Sequence, residues 1–403
     1  MTDMSYLKDK PIAVLGGGAT ARGHAACAAH QGKEVRLYEL PEFFDNLGCI
    51  KDNKKIRLTG LQQSLYGFKR EGLAKLDMVT SDIKEAVQGA GIIIMSFPAI
   101  GNKAFLEKLI PHLEDGMVIH FTTANFGSLI MKKKMREMGC NKKVIIGEWS
   151  SQPYGIRIRS FGGQQIPEVS INYWAISLRG SSLPLTDQEA FFESKKYIPS
   201  LDSVVYPVQG DTVVDIAFSN VNPVLHVPGT ILGVGTMENW GLIYGYDKYE
   251  FSIYSHTYCP SISEVQKMMY KEICQIAEGI GVGIQHFEDE EFFSRSNILG
   301  SEHMGPNYVV PFNEQYKLAL GTGPFSIYNR YITEDIPVGC HLYYELAKKF
   351  NIKVPIIESM ITLGSVMTKT NYWESGLTLE DLGIKDLNRA ELLTYLREGE
   401  YPE

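Results

Sequence analysis

The chain has 403 residues, 44% of them hydrophobic and 21% charged, with a formal net charge of −8. That length exceeds one ordinary core, so two domains are expected, and the composition is that of a globular protein in water. The acidic balance argues against a nucleic-acid surface, and no stretch approaches the roughly 18 uninterrupted apolar residues of a membrane span.

Smaller signals narrow the class. The N-terminal MTDMSYLKDKP lacks the apolar core of a signal peptide. The six cysteines (27, 49, 140, 259, 274 and 340) are scattered without a C-x-x-C pair, which points to reduced thiols and a cytoplasmic protein. The nine histidines show no H-x-x-x-H or H-E-x-x-H spacing, so no metal is expected.

Residues 11–39 read PIAVLGGGATARGHAACAAHQGKEVRLYE. An apolar run at 12–15 enters a glycine-rich turn, a small-residue helix follows, and a second apolar run at 34–38 ends on Glu39. Strand, turn, helix, strand and acid together are the pattern of a dinucleotide-binding βαβ unit. Gly16 permits the tight turn, and Gly18 lets the backbone approach a pyrophosphate. The phosphates are expected on the free N–H groups of Ala19 and Thr20 at the helix start. Ala21 is the small residue that lets helix and strand pack closely. Glu39 is placed to accept from the adenosine ribose hydroxyls, which favours NAD over NADP, while Arg22 and Arg36 are nearby cations that weaken the preference.

The alternation continues. Met78-Val79 with Ser81-Asp82 reads as a short strand running into a helix cap. Residues 91–97 (GIIIMSF) form a continuous apolar run, as for a parallel strand buried on both faces. Pro98 ends it, and Phe105, Leu106, Leu109 and Ile110 mark a helix. Residues 117–121 and 144–147 read as strands, and 171–178 as a late one. Lys132-Lys133-Lys134 reads as a solvated helix face. The expectation is a doubly wound parallel sheet, a Rossmann-type α/β domain over residues 1–205.

From 206 to 403 the pattern turns helical. Ser261-Ile262-Ser263-Glu264 after Pro260 reads as a capping box, and Gly281 as the stop of the helix behind it. Val338, Leu342, Leu346 and Phe350 mark a second helix, and Pro355 starts a third. This half is expected to be an all-α substrate and catalytic domain, its Met and aromatic positions core.

A nicotinamide cofactor implies hydride transfer, which needs a proton donor and a charge clamp. NVNPVLHVP holds His226 between Pro223 and Pro228, and RYITEDIP offers Arg330, Glu334 and Asp335. A histidine with a carboxylate partner is a tunable acid/base, and an arginine is a fork for a substrate carboxylate. A histidine beside prolines also serves structurally, so spacing alone leaves both readings standing.

Further motifs carry a resemblance. SNVNPVLHVPGTIL is similar to the N-P-x-x-H segment of the octopine/nopaline (opine) dehydrogenase family, and GPFSIYNRYITEDIPVGC to its R-Y-x-x-E-D-x-P-x-G segment. GEWSSQPYGIRI resembles its E-x-x-T-x-P-Y-x-x-R stretch, and NYWESGLTLEDLGI its C-terminal ending. The match runs nearly the whole chain in the family's order. It implies a helical tail like that of 6-phosphogluconate dehydrogenase. It also implies reduction by NADH or NADPH of the imine formed between an α-keto acid, typically pyruvate, and the amine of an amino acid, in an interdomain cleft. By position, His226 matches the catalytic histidine, Asp335 its partner carboxylate, Arg330 the keto-acid anchor, and Glu148 a residue that salt-bridges the amine. Glu148 also reads as an ordinary strand-end acid. Asn222 lies one helical turn before His226 and either orients substrate or the cofactor amide, or caps a helix or turn. Glu334 is an alternative partner for His226.

Two departures stand out. The segment Thr122-Thr123-Ala124-Asn125-Phe126-Gly127 lacks the family's Pro-Gly pair, and Ser151 replaces a threonine. The tyrosine-rich stretch 241–260 is either an aromatic wall for an apolar amine or core packing. Two other readings keep the same scaffold: a 2- or 3-hydroxyacid dehydrogenase that needs no amine, and a non-catalytic NADH sensor. A homodimer is compatible with the sequence.

Overall fold

The apolar runs of the N-terminal half pair into one sheet in a computed structural model that describes residues 2–402, apart from 61–70, 124, 162–163, 176, 205, 244 and 285–321. Ala124 of the 122–127 segment and Tyr244 of the tyrosine-rich stretch therefore lie outside the described residues. Strands β1 (Ile12–Leu15), β2 (Val35–Tyr38), β3 (Lys55–Gly60), β4 (Gly72–Lys75), β5 (Met78–Thr80) and β6 (Ile92–Met95) come first. Then follow β7 (Val118–Phe121), β8 (Ile145–Trp149), β9 (Tyr154–Phe161), β10 (Gln164–Trp174), β11 (Ser177–Ser182) and β12 (Tyr206–Gln209). The main sheet runs β12-β11-β8-β7-β6-β1-β2-β5. Its strands from β8 to β5 are parallel, and β11 joins β8 antiparallel. β1, β6 and β7 are buried along their whole length, which is why they read as unbroken apolar runs. The chain leaves β1 toward β2 on one side and returns at β6 on the other. The carboxyl ends of β1 and β6 thus form a topological switch point, where open α/β sheets bind ligands.

Helix α1 (Ala19–His30) follows β1 and is buried from Ala21 to Ala28. A second sheet, β4-β3-β10-β9, accounts for this. Ile56, Leu58, Ala74, Ile156, Val169 and Ile171 share one core with the alanines of α1 and with β1 and β2. A Cβ on Gly23 would stand 2.6 Å from Ile156 Cδ1 and 2.7 Å from the Tyr154 hydroxyl oxygen. The small-residue helix is therefore set by contact on two sides.

Several sequence expectations need correction. Residues 171–178 are not one strand: they span the end of β10 and the start of β11. The Asp82 cap does form, its carboxylate accepting from the N–H groups of Lys84 and Glu85 ahead of α2 (Ile83–Val87). The helix marked by Phe105 is α3 (Asn102–Leu109). Lys132, Lys133 and Lys134 on α4 (Gly127–Glu137) are half-buried, with Lys133 and Lys134 paired to acids, rather than a solvated face.

The chain divides into two compact units, residues 1–216 with 394–403, and residues 217–393. The sequence boundary at 205/206 falls short because β12 adds to the main sheet beside β11. Asp215, fully buried, then accepts from Arg179 Nη2 at 2.8 Å and from the Thr212 N–H. The C-terminal ten residues also leave the expected helical half. Arg136 donates to the Tyr395 hydroxyl at 2.8 Å and lies over the Tyr401 ring.

The second unit contains α5 (Asn222–Leu232), α6 (Ile253–His256), α7 (Pro260–Ile280), α8 (Arg330–Thr333), α9 (His341–Lys349) and α10 (Pro355–Thr368). A π-helical turn, Asp335–Cys340, joins α8 to α9. α7 begins at Pro260 with Cys259 as its N-cap and no side-chain capping bond, so the expected capping box is absent. Proline presets the helical φ at the first position, which starts the helix early and draws Ser261 inside its first turn. Gly281 ends α7 at φ +88°.

Candidate active site

In the first unit the site is built at the switch point. Gly16 adopts φ +115°, and a Cβ there would stand 2.4 Å from the Ser96 carbonyl oxygen, so glycine is required. Gly18 is the N-cap of α1, is exposed, and has open space where a Cβ would be. The first turn of α1, Ala19 and Thr20, is half-buried, so its backbone remains accessible to an anion. Ala21 is fully buried and serves packing rather than contact. The Thr20 hydroxyl accepts from Ser96 Oγ at 3.1 Å, which ties the first turn of α1 to the end of β6.

Glu39 sits at the end of β2. Its two oxygens accept from the Gly17 N–H at 2.6 Å and the Leu40 N–H at 2.7 Å. Burial raises its pKa, against the lowering effect of those two bonds. Arg22 and Arg36 do not compete for its role. Arg22 is buried and donates to the carbonyls of Gly17 and Asn46. Arg36 is committed to Glu34 and to the carbonyls of Glu85 and Gln88. Gly16 and Gly18 with an open helix start and a ribose-height carboxylate form a cradle that fits a dinucleotide.

In the second unit α5 carries His226. Pro223 presets its first turn, and Pro228 lacks the N–H that would close a helical bond to Val224. The next carbonyl, Leu225, accepts from the Tyr258 hydroxyl at 2.7 Å and from Gln266. These contacts fix the backbone beside His226. Its Nδ1 meets Asp335 Oδ2 at 2.7 Å and its Nε2 meets the Tyr254 hydroxyl at 3.0 Å. Tyr331 stacks on the imidazole with ring centroids 3.7 Å apart. His226 is only 6% exposed, so these partners rather than bulk water set its hydrogen bonding. A carboxylate accepts from Nδ1–H, which makes Nε2, the nitrogen facing Tyr254, the one able to exchange a proton. The choice between Glu334 and Asp335 is thus made by distance in favour of Asp335, the first residue of the π turn. Pro337 breaks the α-helical ladder there.

Arg330 opens α8 behind the Asn329 cap, whose side chain accepts from the Tyr331 N–H at 2.8 Å. Arg330 is exposed as a residue, and its guanidinium makes no ion pair within 4.0 Å with another described residue. Desolvation lowers its pKa, but the charges of Glu334, Tyr331, Asp335 and Tyr254 outweigh it, and the net shift is upward. It is an available, fully charged fork. Asn222 stands at the first position of α5 and does not cap it with its side chain. Asn220 Oδ1 instead accepts from the Asn222 N–H at 3.1 Å, which leaves the Asn222 amide half-exposed, one turn from His226.

Glu148 requires correction. It is fully buried at the foot of α4, where its carboxylate accepts from the N–H groups of Ser128 (2.7 Å) and Asn125 (3.2 Å) and from the Ser128 hydroxyl. Burial pushes its pKa up to about 7 against these bonds. Its carboxyl caps the start of α4 and is not presented to an amine substrate. Ser150 and Ser151 follow two and three positions later, and the next residue, Gln152, links His24 to Thr123 inside the first unit. Two residues of the site, Tyr254 and Tyr331, were not singled out from the sequence. Tyr254 lies in the tyrosine-rich stretch and Tyr331 beside Arg330 in the quoted block.

The helical half matches the family model described as NAD/NADP octopine/nopaline dehydrogenase, alpha-helical domain, over residues 209–368. An opine dehydrogenase of Arthrobacter sp. (strain 1C) is 25% identical over 386 residues, covering 95% of this chain and 98% of that protein. The helical half is thus similar to the alpha-helical domain of the octopine/nopaline dehydrogenase family. Vitopine synthase of Allorhizobium ampelinum is 22% identical over 82% of this chain and 85% of its own length. Among solved structures, octopine dehydrogenase with NADH and L-arginine has a TM-score of 0.67 at 17% identity, covering 98% of this chain and 99% of that one. Yersinopine dehydrogenase with NADP+ bound has a TM-score of 0.67 at 13% identity, covering 98% of this chain and 100% of that one. The protein is an NAD(P)-dependent oxidoreductase with a Rossmann-type α/β unit and a helical unit. Among the described residues no helix is long and apolar enough to cross a membrane.

Proposed function

We propose that the protein condenses an α-keto acid with the amine of an amino acid and reduces the resulting imine to an N-(carboxyalkyl) amino acid. The observation that carries this reading is the His226–Asp335 pair at 2.7 Å, with Arg330, which has no ion pair among the described residues, five positions before Asp335. Condensation needs a proton delivered to the departing hydroxyl group, and the reduction needs a keto acid held still by its carboxylate. Nε2 of His226 is the acid/base atom, Asp335 orients the ring and balances the imidazolium, and Arg330 binds the keto-acid carboxylate as a two-pronged donor. The Asn222 amide orients the substrate.

Gly16, Gly18, Ala19, Thr20 and Glu39 form the cofactor-binding set of the first unit, with Ala21 packing the helix behind them. The nicotinamide cofactor, when bound, supplies the hydride. The second unit supplies the substrate and acid/base groups. The reduced, scattered cysteines support a cytoplasmic setting, and light scattering in solution distinguishes a monomer from a homodimer.

The test is NADH oxidation with pyruvate alone against pyruvate plus a panel of amino acids, repeated with NADPH. Oxidation is expected to require an amine. Amine-independent oxidation overturns the reading in favour of a hydroxyacid dehydrogenase. Glu39 gives a second expectation. Its carboxylate is a charged acceptor for two ribose hydroxyls, each such bond contributing roughly 1.5–3 kcal/mol. Glu39→Ala should weaken NADH binding at least about tenfold and NADPH binding less, as read by nicotinamide fluorescence titration.

A further inference from the structure

The proton-transfer atom of His226 already has a partner of defined geometry. Nδ1 is engaged by Asp335, and one ring face is covered by Tyr331. Nε2 faces the hydroxyl of Tyr254 at 3.0 Å. Tyr254 is itself only 9% exposed, and its hydroxyl lies 3.4 Å from that of Tyr331. It therefore has a second polar neighbour toward which to turn when it stops donating to the imidazole. A phenol both donates and accepts, so it serves neutral imidazole as a donor and imidazolium as an acceptor.

The position of Tyr254 is anchored rather than incidental. It sits on α6, where the Ser252 N–H donates to His256 Nδ1 at 3.0 Å and the Ile253 N–H donates to the Gly323 carbonyl at 3.0 Å. The Thr257 hydroxyl donates to the Ile253 carbonyl at 2.7 Å. Its ring meets the edge of Tyr258, whose hydroxyl is tied to Leu225, the residue before His226. One set of contacts thus holds both the tyrosine and the histidine.

We propose that Tyr254 is a further catalytic residue, whose hydroxyl passes the proton between His226 Nε2 and the reacting substrate. The inference rests on the condensation reading above. In the dehydration step the Tyr254 O–H bond breaks as its proton joins the hydroxyl of the carbinolamine. The carbon–oxygen bond then breaks, water leaves, and the nitrogen lone pair closes the C=N bond. The Tyr254 oxygen takes the proton from Nε2 at the same time, so the tyrosine ends neutral and the imidazolium becomes imidazole, still held by Asp335. No oxidant or reductant takes part in this step.

The test is Tyr254→Phe in the full-length protein, with stopped-flow single turnovers of NADH, keto acid and amine in H2O and D2O. A relay with acid/base leverage of about 10²-fold predicts a loss of that size in the single-turnover rate. Cofactor binding should stay within twofold by fluorescence. The proton inventory should change from curved, with two protons in flight, to linear. Tyr331→Phe, which removes a neighbouring buried hydroxyl and keeps the stack, should lose at least tenfold less. Rates within threefold of wild type, or equal losses in the two variants, overturn the relay. A wild-type protein that oxidises NADH without an amine, or not at all, overturns the condensation reading and the relay with it. Amine-dependent wild-type turnover with an unaffected Tyr254→Phe variant overturns the relay alone.

Discussion

His226→Ala should abolish turnover, lowering kcat by roughly 10³–10⁴-fold, while NADH still binds with near-normal affinity. The two halves of this expectation have separate structural origins. His226 is held in the second unit by Asp335, Tyr254 and the Tyr331 stack. The cradle for the dinucleotide is the Gly16–Gly18 turn of the first unit. Asp335→Asn is the finer probe. An amide keeps the shape but removes the counter-charge, and it is free to donate to Nδ1, which puts the proton on the wrong ring nitrogen. The expected loss is about 10²–10⁴-fold in kcat, again without loss of cofactor binding. Stopped-flow absorbance at the reduced-nicotinamide band and fluorescence titration read the two quantities separately. Near-normal kcat in either variant would falsify the acid/base assignment.

The parts of this molecule that were legible in the sequence are those where local chemistry has few alternatives. Gly16 needs a positive φ and has a carbonyl against it, and it reads as a glycine turn from sequence alone. β1, β6 and β7 are buried on both faces and read as apolar runs. Asp82, Gly281 and Pro355 mark helix ends through their own backbone preferences. His226 and Asp335 stand 109 positions apart, and no periodicity connects them; resemblance to a family joined them, and the 2.7 Å contact gives the pairing its geometry.

What was not legible depends on partners remote in the chain. The second sheet joins β3 to β10, more than a hundred residues apart, and its strands alternate exposed cations with buried Ile and Leu in runs too short to stand out. Its presence is written only indirectly, in the glycine and alanines of α1. Glu148 shows the opposite failure. An acid at a strand end is chemically ambiguous, and whether it faces a ligand or a helix N-terminus is decided by where Ser128 and Asn125 fold. Tyr254 was hidden among many tyrosines in a stretch where packing and chemistry use the same residue type. Only its hydroxyl's distance to Nε2 separates it from the rest.

Arg330→Ala should raise the KM for the keto acid and lower kcat/KM for it by roughly 10²–10³-fold, with a much smaller effect on the KM for NADH. Two charge-assisted hydrogen bonds from one guanidinium, each contributing roughly 1.5–3 kcal/mol, cover that range once the entropy of ordering the side chain is subtracted. The direction follows from its surroundings. Arg330 is accessible and unpaired among the described residues, and the acids beside it keep it charged without engaging it directly. Removing it therefore leaves no buried partner stranded among the described residues, so the loss should appear in substrate kinetics rather than in folding. Arg330→Lys separates charge from geometry. A lysine keeps the positive charge but offers a point donor in place of a planar fork, so it should recover only part of the lost affinity. Full recovery by lysine would show that long-range charge alone holds the keto acid. An unchanged keto-acid KM in Arg330→Ala would remove Arg330 from the site altogether and move the search for the anchor to the Asn222 amide.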